Sequence, residues 1–145
     1  AYQIGALQAM ASFCGEKVTH VKPHGALNNM AAESADYALA IGRAIKAVDR
    51  DLIYVALSGS EMEKAARKLD LRVAREGFCD RQYDDNGNLV SRKIPGSVIK
   101  DPALAVKQVK RAEKIHNAEI SALLKVTPDE SAMLPRWRTA ASHKK

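Results

Sequence analysis

Aromatic side chains are scarce in this 145-residue chain, 5% of the whole with one tryptophan, which leaves few surfaces on which nucleic-acid bases could stack. The formal charge of +6 mixes 23 basic with 17 acidic residues, and no recognition motif accompanies it, so nucleic acid is not the expected partner. The modest basic bias suits an anionic small molecule equally well. Long apolar runs are also missing: none approaches the roughly 20 residues that span a bilayer, and no membrane role is expected. Tyr2 to Gly15 is uncharged, but Gln3 and Gln8 interrupt it and no basic segment precedes it, which speaks against a signal peptide. Cysteine is confined to Cys14 and Cys79. They lack metal-ligand spacing and read as two reduced thiols of a cytoplasmic protein, with Cys79 taken as a packing residue. A Gly-x-x-x-x-Gly-Lys-Ser/Thr phosphate loop is absent too, so any nucleotide must be held in another way or by a partner.

The remaining composition, 46% hydrophobic and 28% charged, is that of an ordinary globular domain with a core of its own. Ile4, Leu7, Ala11 and Cys14, with Met10 beside them, recur at helical spacing. Val18 to Val21 reads as a short strand with Val18, His20 and Lys22 on one face. Pro23 stops it, Gly25 permits a tight turn, and Ala31 onward reads as helix. Tyr37, Ile41, Ala44, Ile45 and Val48 mark a helical face. Leu52 to Leu57 is apolar almost throughout, as in a strand buried in a parallel sheet. Ser58-Gly59 turns the chain, and Ser60 with Glu63 forms a capping-box pattern ahead of Met62, Ala65, Ala66 and Leu69. Leu71 to Ala74 is expected as a third strand. The handedness of such crossovers makes the three strands parallel neighbours. Phe78 to Gly96 then reads as a long polar loop with a hairpin at Asn86-Gly87. Asp101-Pro102 starts a helix with Ala105, Val109 and Ala112 towards the core. Ala118 to Val126 is the expected last strand.

Three strand ends carry polar residues: Lys22 with His24, Ser58 with Ser60, and Glu76 with Asp80 and Arg81. In α/β folds that edge is where ligands bind. A buried lysine ammonium needs a carboxylate, and Glu76 and Asp80 are the candidates. Lys22 is either half of a structural ion pair or a group that binds a carboxylate or phosphate, or polarises a carbonyl. His24 is a general acid/base or a histidine bonded to its own turn. His20 and His24 are four apart, but Pro23 prevents the helix that would make them a metal pair, so no metal is expected. Asp80 and Arg81 can orient a ligand carboxylate, Arg81 by a bidentate contact, or form a surface ion pair.

Two blocks carry a family resemblance. Lys22-Pro23-His24-Gly25-Ala26-Leu27, followed by Asn29, resembles the Lys-Pro-His-Gly-Ala-Leu-Tyr-Asn signature of the LamB/YcsF family, with Asn28 where the family usually has Tyr. Glu76-Gly77-Phe78-Cys79-Asp80-Arg81-Gln82-Tyr83 resembles that family's Glu-x-Phe-Ala-Asp-Arg-x-Tyr. Gly87, Leu89-Val90, Arg92, Pro95-Gly96 and Ile99 follow in the family's order. The resemblance covers roughly Tyr2 to Arg111 and stops beyond His116.

It implies an α/β fold, a partial βα-barrel of the glycoside hydrolase/deacetylase-like kind, over residues 1–116, with 117–145 a divergent, poorly ordered tail. The family's opening Asp-Leu-Asn-x-Asp-x-Gly-Glu, its His-Ala-Gly-Asp and its closing Cys-Val-His-Gly-Asp strand are not found here. The resemblance therefore leads us to expect a fragment without the amino-terminal part. The implied activity is ATP-dependent hydrolysis of the lactam of 5-oxo-L-proline to L-glutamate, with ATP as co-substrate, no tightly bound cofactor, and 5-oxoprolinase subunits B and C as partners. The implied catalytic residues are Lys22, His24 and Asp80; Asn29, Glu76, Arg81 and Tyr83 are the implied substrate-binding residues. Two alternatives stay open, an inactive or partner-binding remnant and another hydrolase or deacetylase on the same scaffold.

Overall fold

The computed structural model describes residues 1–110. The chain divides into two compact units, Ala1–Ala105 and Val106–Lys145. The domain boundary at 116, the tail and the strand expected at Ala118 to Val126 lie outside the described residues.

The first unit runs α1 (Tyr2–Phe13), β1 (His20–Val21), α2 (Ala26–Glu33), α3 (Ala35–Val48), β2 (Ile53–Leu57), α4 (Glu61–Lys68) and β3 (Val73–Glu76). The strands form one parallel sheet in the order β1-β2-β3, with His20 opposite Ile53 and Tyr54 opposite Val73. This is the α/β arrangement and the parallel neighbourhood expected from the crossovers. Alternation along the strands puts Val21, Tyr54, Ala56, Val73 and Arg75 on one face. There Tyr54 and Ala56 join Ile45, Met62, Ala66 and Leu71 in the core formed with the helices. The opposite face carries His20, Lys22, Ile53, Val55, Leu57, Ala74 and Glu76, of which Leu57 alone is buried.

Several boundaries differ from the sequence reading. The strand expected at Val18 to Val21 is shortened to His20–Val21, with Thr19 O still accepting the Ile53 N–H at 3.1 Å. Val18 packs against the core instead of sharing the exposed setting of His20 and Lys22. Helix α2 already starts at Ala26, because Gly25 at φ +63° caps it in a backbone conformation that favours glycine. It then stops at Ser34, whose extended backbone separates it from α3.

In α3 the buried stripe is Ala38, Gly42 and Ile45, and Tyr37 is exposed. Of the expected stripe, Ile45 is buried, Ile41 packs against the core and Tyr37 points out; Ala38 and Gly42 complete the buried face, because small residues let the helix approach closely. A Cβ on Gly42 would stand 2.6 Å from Leu69 Cδ1 and 3.7 Å from Tyr54 Cε1. Strand β3 begins at Val73, not Leu71, because Leu71 belongs to the end of α4. Its N–H reaches Ala66 O and the Asp70 N–H reaches Arg67 O, a Schellman closure with Asp70 at φ +54°.

Helix α1 turns Ile4, Gln8 and Ala11 inward and rests chiefly on α3. Gln8 Nε2 donates to Asp49 Oδ2 at 3.4 Å. Leu7, Met10 and Cys14, expected on the packed stripe, are exposed, as are Tyr2 and Phe13. The helix closes on Gly15 (φ +75°), with Glu16 N–H bonded to Ala11 O. Residues 102–110 are helical, and Asp101 Oδ1 accepts the Ala103 N–H as a start signal should. Val109, expected inside, is 48% exposed; Ala112 lies outside the described residues. No described helix is long and apolar enough to cross a membrane.

Candidate active site at the strand ends

The carboxyl ends of all three strands lie along one edge of the sheet because the strands are parallel. Lys22 directly follows β1 and Glu76 closes β3, so the two flank the end of β2. Lys22 Nζ donates to Glu76 Oε1 at 2.5 Å, with the two side chains 37% and 25% exposed. The carboxylate that Lys22 needed is therefore Glu76. An ammonium has three N–H donors, and Glu76 is its hydrogen-bond partner among the described residues. The same Nζ stands 5.1 Å from the centroid of the Phe78 ring, a cation–π distance. Phe78 was not singled out by the sequence reading. The available signal was an aromatic two residues beyond a strand-end acid.

The loop after β3 organises itself around the site. Tyr83 pairs with Leu89 in an antiparallel bridge and Arg81 with Val98. Asp84 Oδ1 accepts the Asn86 and Asn88 N–H groups, and Gly87 turns at φ +81°, which gives the expected hairpin. Tyr83 Oη accepts the Phe78 N–H at 2.6 Å. Burial, opposed by that hydrogen bond and reinforced by the charge of Glu76, pushes the Tyr83 hydroxyl above its usual range; Arg81 and Asp80 exert smaller, opposing effects. The hydroxyl is therefore neutral at physiological pH. Those same influences put Glu76, Asp80 and Arg81 within electrostatic reach of Tyr83.

The remaining candidates are placed as follows. Arg81 is 5% exposed, and its NH2 group donates to Val90 O at 2.6 Å, which ties the loop across its base. Its burial sets it apart from the surface cation that the sequence suggested. Asp80 is exposed, and its backbone carbonyl accepts the Ile99 N–H. Cys79 is exposed and not a packing residue, because the loop turns it outward between Phe78 and Asp80. His24 is exposed on the turn between β1 and α2. Asn29 is exposed on α2, whereas Asn28 is 7% exposed.

At the end of β2, Ser60 Oγ donates to Leu57 O, and Glu63 Oε2 accepts the Gly59 N–H at 2.8 Å. The expected capping box is thus shifted by one residue. Burial raises the Glu63 carboxyl, but the Gly59 N–H, the Arg67 guanidinium and nearby Arg75 outweigh it and hold the group below its ordinary value. Beside this turn lies a hollow of about 290 Å³ lined by Glu33, Ser60, Glu61, Lys64, Asn86 and Asn88. Lys64 is already paired with Glu61 at 2.6 Å. Among the described residues no three His, Cys, Asp or Glu side chains gather as a metal site.

What the edge offers chemically is a half-exposed ammonium held by an acid and an aromatic face; His24 stands on the turn after β1 and Asp80 on the loop after β3, both exposed. Comparison with known proteins shows what the chain resembles. It is 57% identical over 111 residues to the 5-oxoprolinase A subunit of Rhodopseudomonas palustris (strain BisB18), a match over 77% of this chain and 44% of that protein. It is 44% identical over 130 residues to the 5-oxoprolinase A subunit of Natranaerobius thermophilus, covering 88% of this chain and 51% of the relative. The chain therefore spans about half the length of the curated relatives it matches. The crystal structure of a lactam utilization protein from Thermus thermophilus superposes with a TM-score of 0.67 at 46% identity, over 73% of this chain and 43% of that one. The model of the LamB/YcsF family matches residues 1–127, and the chain belongs to that family.

Proposed function

We propose that this chain supplies the strand-end site of a 5-oxoprolinase A subunit, which opens the lactam of 5-oxo-L-proline to L-glutamate with ATP cleavage. The observation that carries the reading is the Lys22–Glu76 contact, 2.5 Å across the ligand-binding edge of the sheet and built from the two blocks that the family shares. Its relatives carry the name of the 5-oxoprolinase A subunit.

A five-membered lactam is a weak electrophile. Phosphorylation of its amide oxygen by ATP makes the ring carbon open to water and the ring nitrogen easier to expel. In this reading Lys22 presents its N–H donors to the developing negative charge. His24 and Asp80 handle the proton and the attacking water. Glu76 fixes Lys22, Asn29 and Arg81 shape the substrate side, and Tyr83 holds the loop. The B and C subunits are the proposed partners, and with no phosphate-binding loop in the chain they are the proposed source of nucleotide contacts. Localisation in the cytoplasm, where ATP is available, belongs to the same proposal.

The site stands on an open sheet face, where water screens every charge. The chain by itself is therefore proposed to bind ligand without turning it over. The test is 5-oxoproline-dependent ADP release by the chain with and without subunits B and C. Turnover is expected only in the assembly, and Lys22→Met should lower it by about 10²-fold or more, the cost of removing a charge-stabilising donor. Full activity of Lys22→Met in a working assembly would remove Lys22 from the mechanism.

A further inference from the structure

The geometry points to Phe78 and Tyr83 as a positioning pair for Lys22. This rests on the reading of Lys22 as the cation of the ligand site, and it adds two roles that neither motif block announces. A lysine side chain has four carbons of free rotation, and a single half-exposed carboxylate fixes only its distance, not its direction. Phe78 supplies a second constraint: its ring centroid lies 5.1 Å from Nζ. An ammonium held by a carboxylate oxygen and an aromatic face can keep its remaining donors turned to the open side, where a carbonyl or carboxylate oxygen would approach.

The ring can do this only if its own backbone is fixed, and the chain here leaves the sheet through Gly77. Tyr83 provides the fixture. Its hydroxyl accepts the Phe78 N–H at 2.6 Å, its backbone is bridged to Leu89, and its ring packs against the core. The hydroxyl oxygen is thus engaged by the Phe78 backbone, and Tyr83 acts on Lys22 through Phe78. The restraint passes from the hairpin through Tyr83 Oη to the Phe78 backbone, and from the Phe78 ring to the Lys22 ammonium.

The experiment follows the Lys22 ε-methylene signals by NMR in the full chain labelled at lysine, a readout that needs no turnover. Aromatic ring current should move these signals upfield in the unsubstituted protein. Phe78→Leu should return them to the position of the other lysines, Phe78→Trp should keep them shifted, and Tyr83→Phe should reduce the shift while leaving the amide spectrum of the sheet in place. Should Phe78→Leu fail to fold, Phe78→Trp and Tyr83→Phe still decide the matter. An unshifted Lys22 signal in the unsubstituted chain, or one indifferent to Phe78→Leu in a folded chain, overturns the role of Phe78. A shift unchanged in Tyr83→Phe overturns the role of Tyr83. In the active assembly, Phe78→Leu should lower kcat about two- to fivefold with little change in KM for 5-oxoproline, as expected when a donor to developing charge loses its positioning contact. If that assembly shows no 5-oxoproline-dependent activity, the functional reading fails while the NMR result stands by itself.

Discussion

Tyr54 is the most deeply buried aromatic residue of the sheet, fully enclosed on β2, and its hydroxyl has no hydrogen-bond partner among the described residues. A buried hydroxyl left without a partner costs about 1–3 kcal/mol. Burial also pushes its pKa far above the ordinary value of 10.0. An unfolded chain can release that proton above pH 10 while the folded chain holds it. The cost of burying the hydroxyl is therefore constant below pH 10 and grows as pH rises from there towards the folded value, so stability falls over that range. Tyr54→Phe keeps the ring and removes the orphan. It should stabilise the protein by about 1 kcal/mol, which is roughly 4–8 °C in Tm for a domain of this size. Thermal melts should show this gain at neutral pH and a wider gap from the unsubstituted protein above pH 10. A lower Tm for Tyr54→Phe would mean that the hydroxyl has a partner after all.

At the scale of the element, α4 shows how a helix start is fixed at the ligand edge. Glu63 sits in its first turn, accepts the Gly59 N–H and is gripped by Arg67 Nη2 at 2.7 Å. With its pKa depressed below 4.5, it contributes stability above that pH, and the contribution disappears as pH falls through the depressed value. Glu63→Gln should cost about 0.5–1 kcal/mol at neutral pH, the worth of an acid at a helix start. In urea titrations across an acid series, the gap between the two proteins should close below pH 4.5. A gap independent of pH would assign the loss to shape and not to charge.

The same element shows what a sequence can and cannot display. The crossover rhythm, the parallel order, the Asn86-Gly87 hairpin and the need of Lys22 for Glu76 or Asp80 were all legible, because each follows from local chemistry or from a charge that needs its opposite. What escaped depends on tertiary closeness. The stripe of α3 is set by Ala38 and Gly42, residues that hydrophobic periodicity undercounts. The start of β3 was displaced by Asp70 adopting the position usually given to glycine. Arg81 looks like a surface cation in sequence and proves to be buried, and the packing of Phe78 beneath Lys22 has no periodic trace.

At the scale of the whole molecule, α1 presents Tyr2, Leu7, Met10 and Phe13 away from its packed side, with Phe13 87% exposed. Such a surface should take up an apolar fluorescent dye. Phe13→Ser should lower the dye signal while changing stability by no more than about 0.5 kcal/mol, as for other surface substitutions. Unchanged dye binding would place the apolar surface elsewhere.

Lys22 and Glu76 stand 54 positions apart along the chain. Closing so long a loop costs on the order of 3–4 kcal/mol of chain entropy, whereas a half-exposed ion pair stabilises by at most about 1 kcal/mol. The pair cannot draw the two strands together; it forms because β2 already holds them side by side. Strand β1 pairs with β2 over two residues, with Thr19 O accepting the Ile53 N–H beside them, so local fraying of this short strand would part amine from acid. Such a local opening would cost far less than global denaturation.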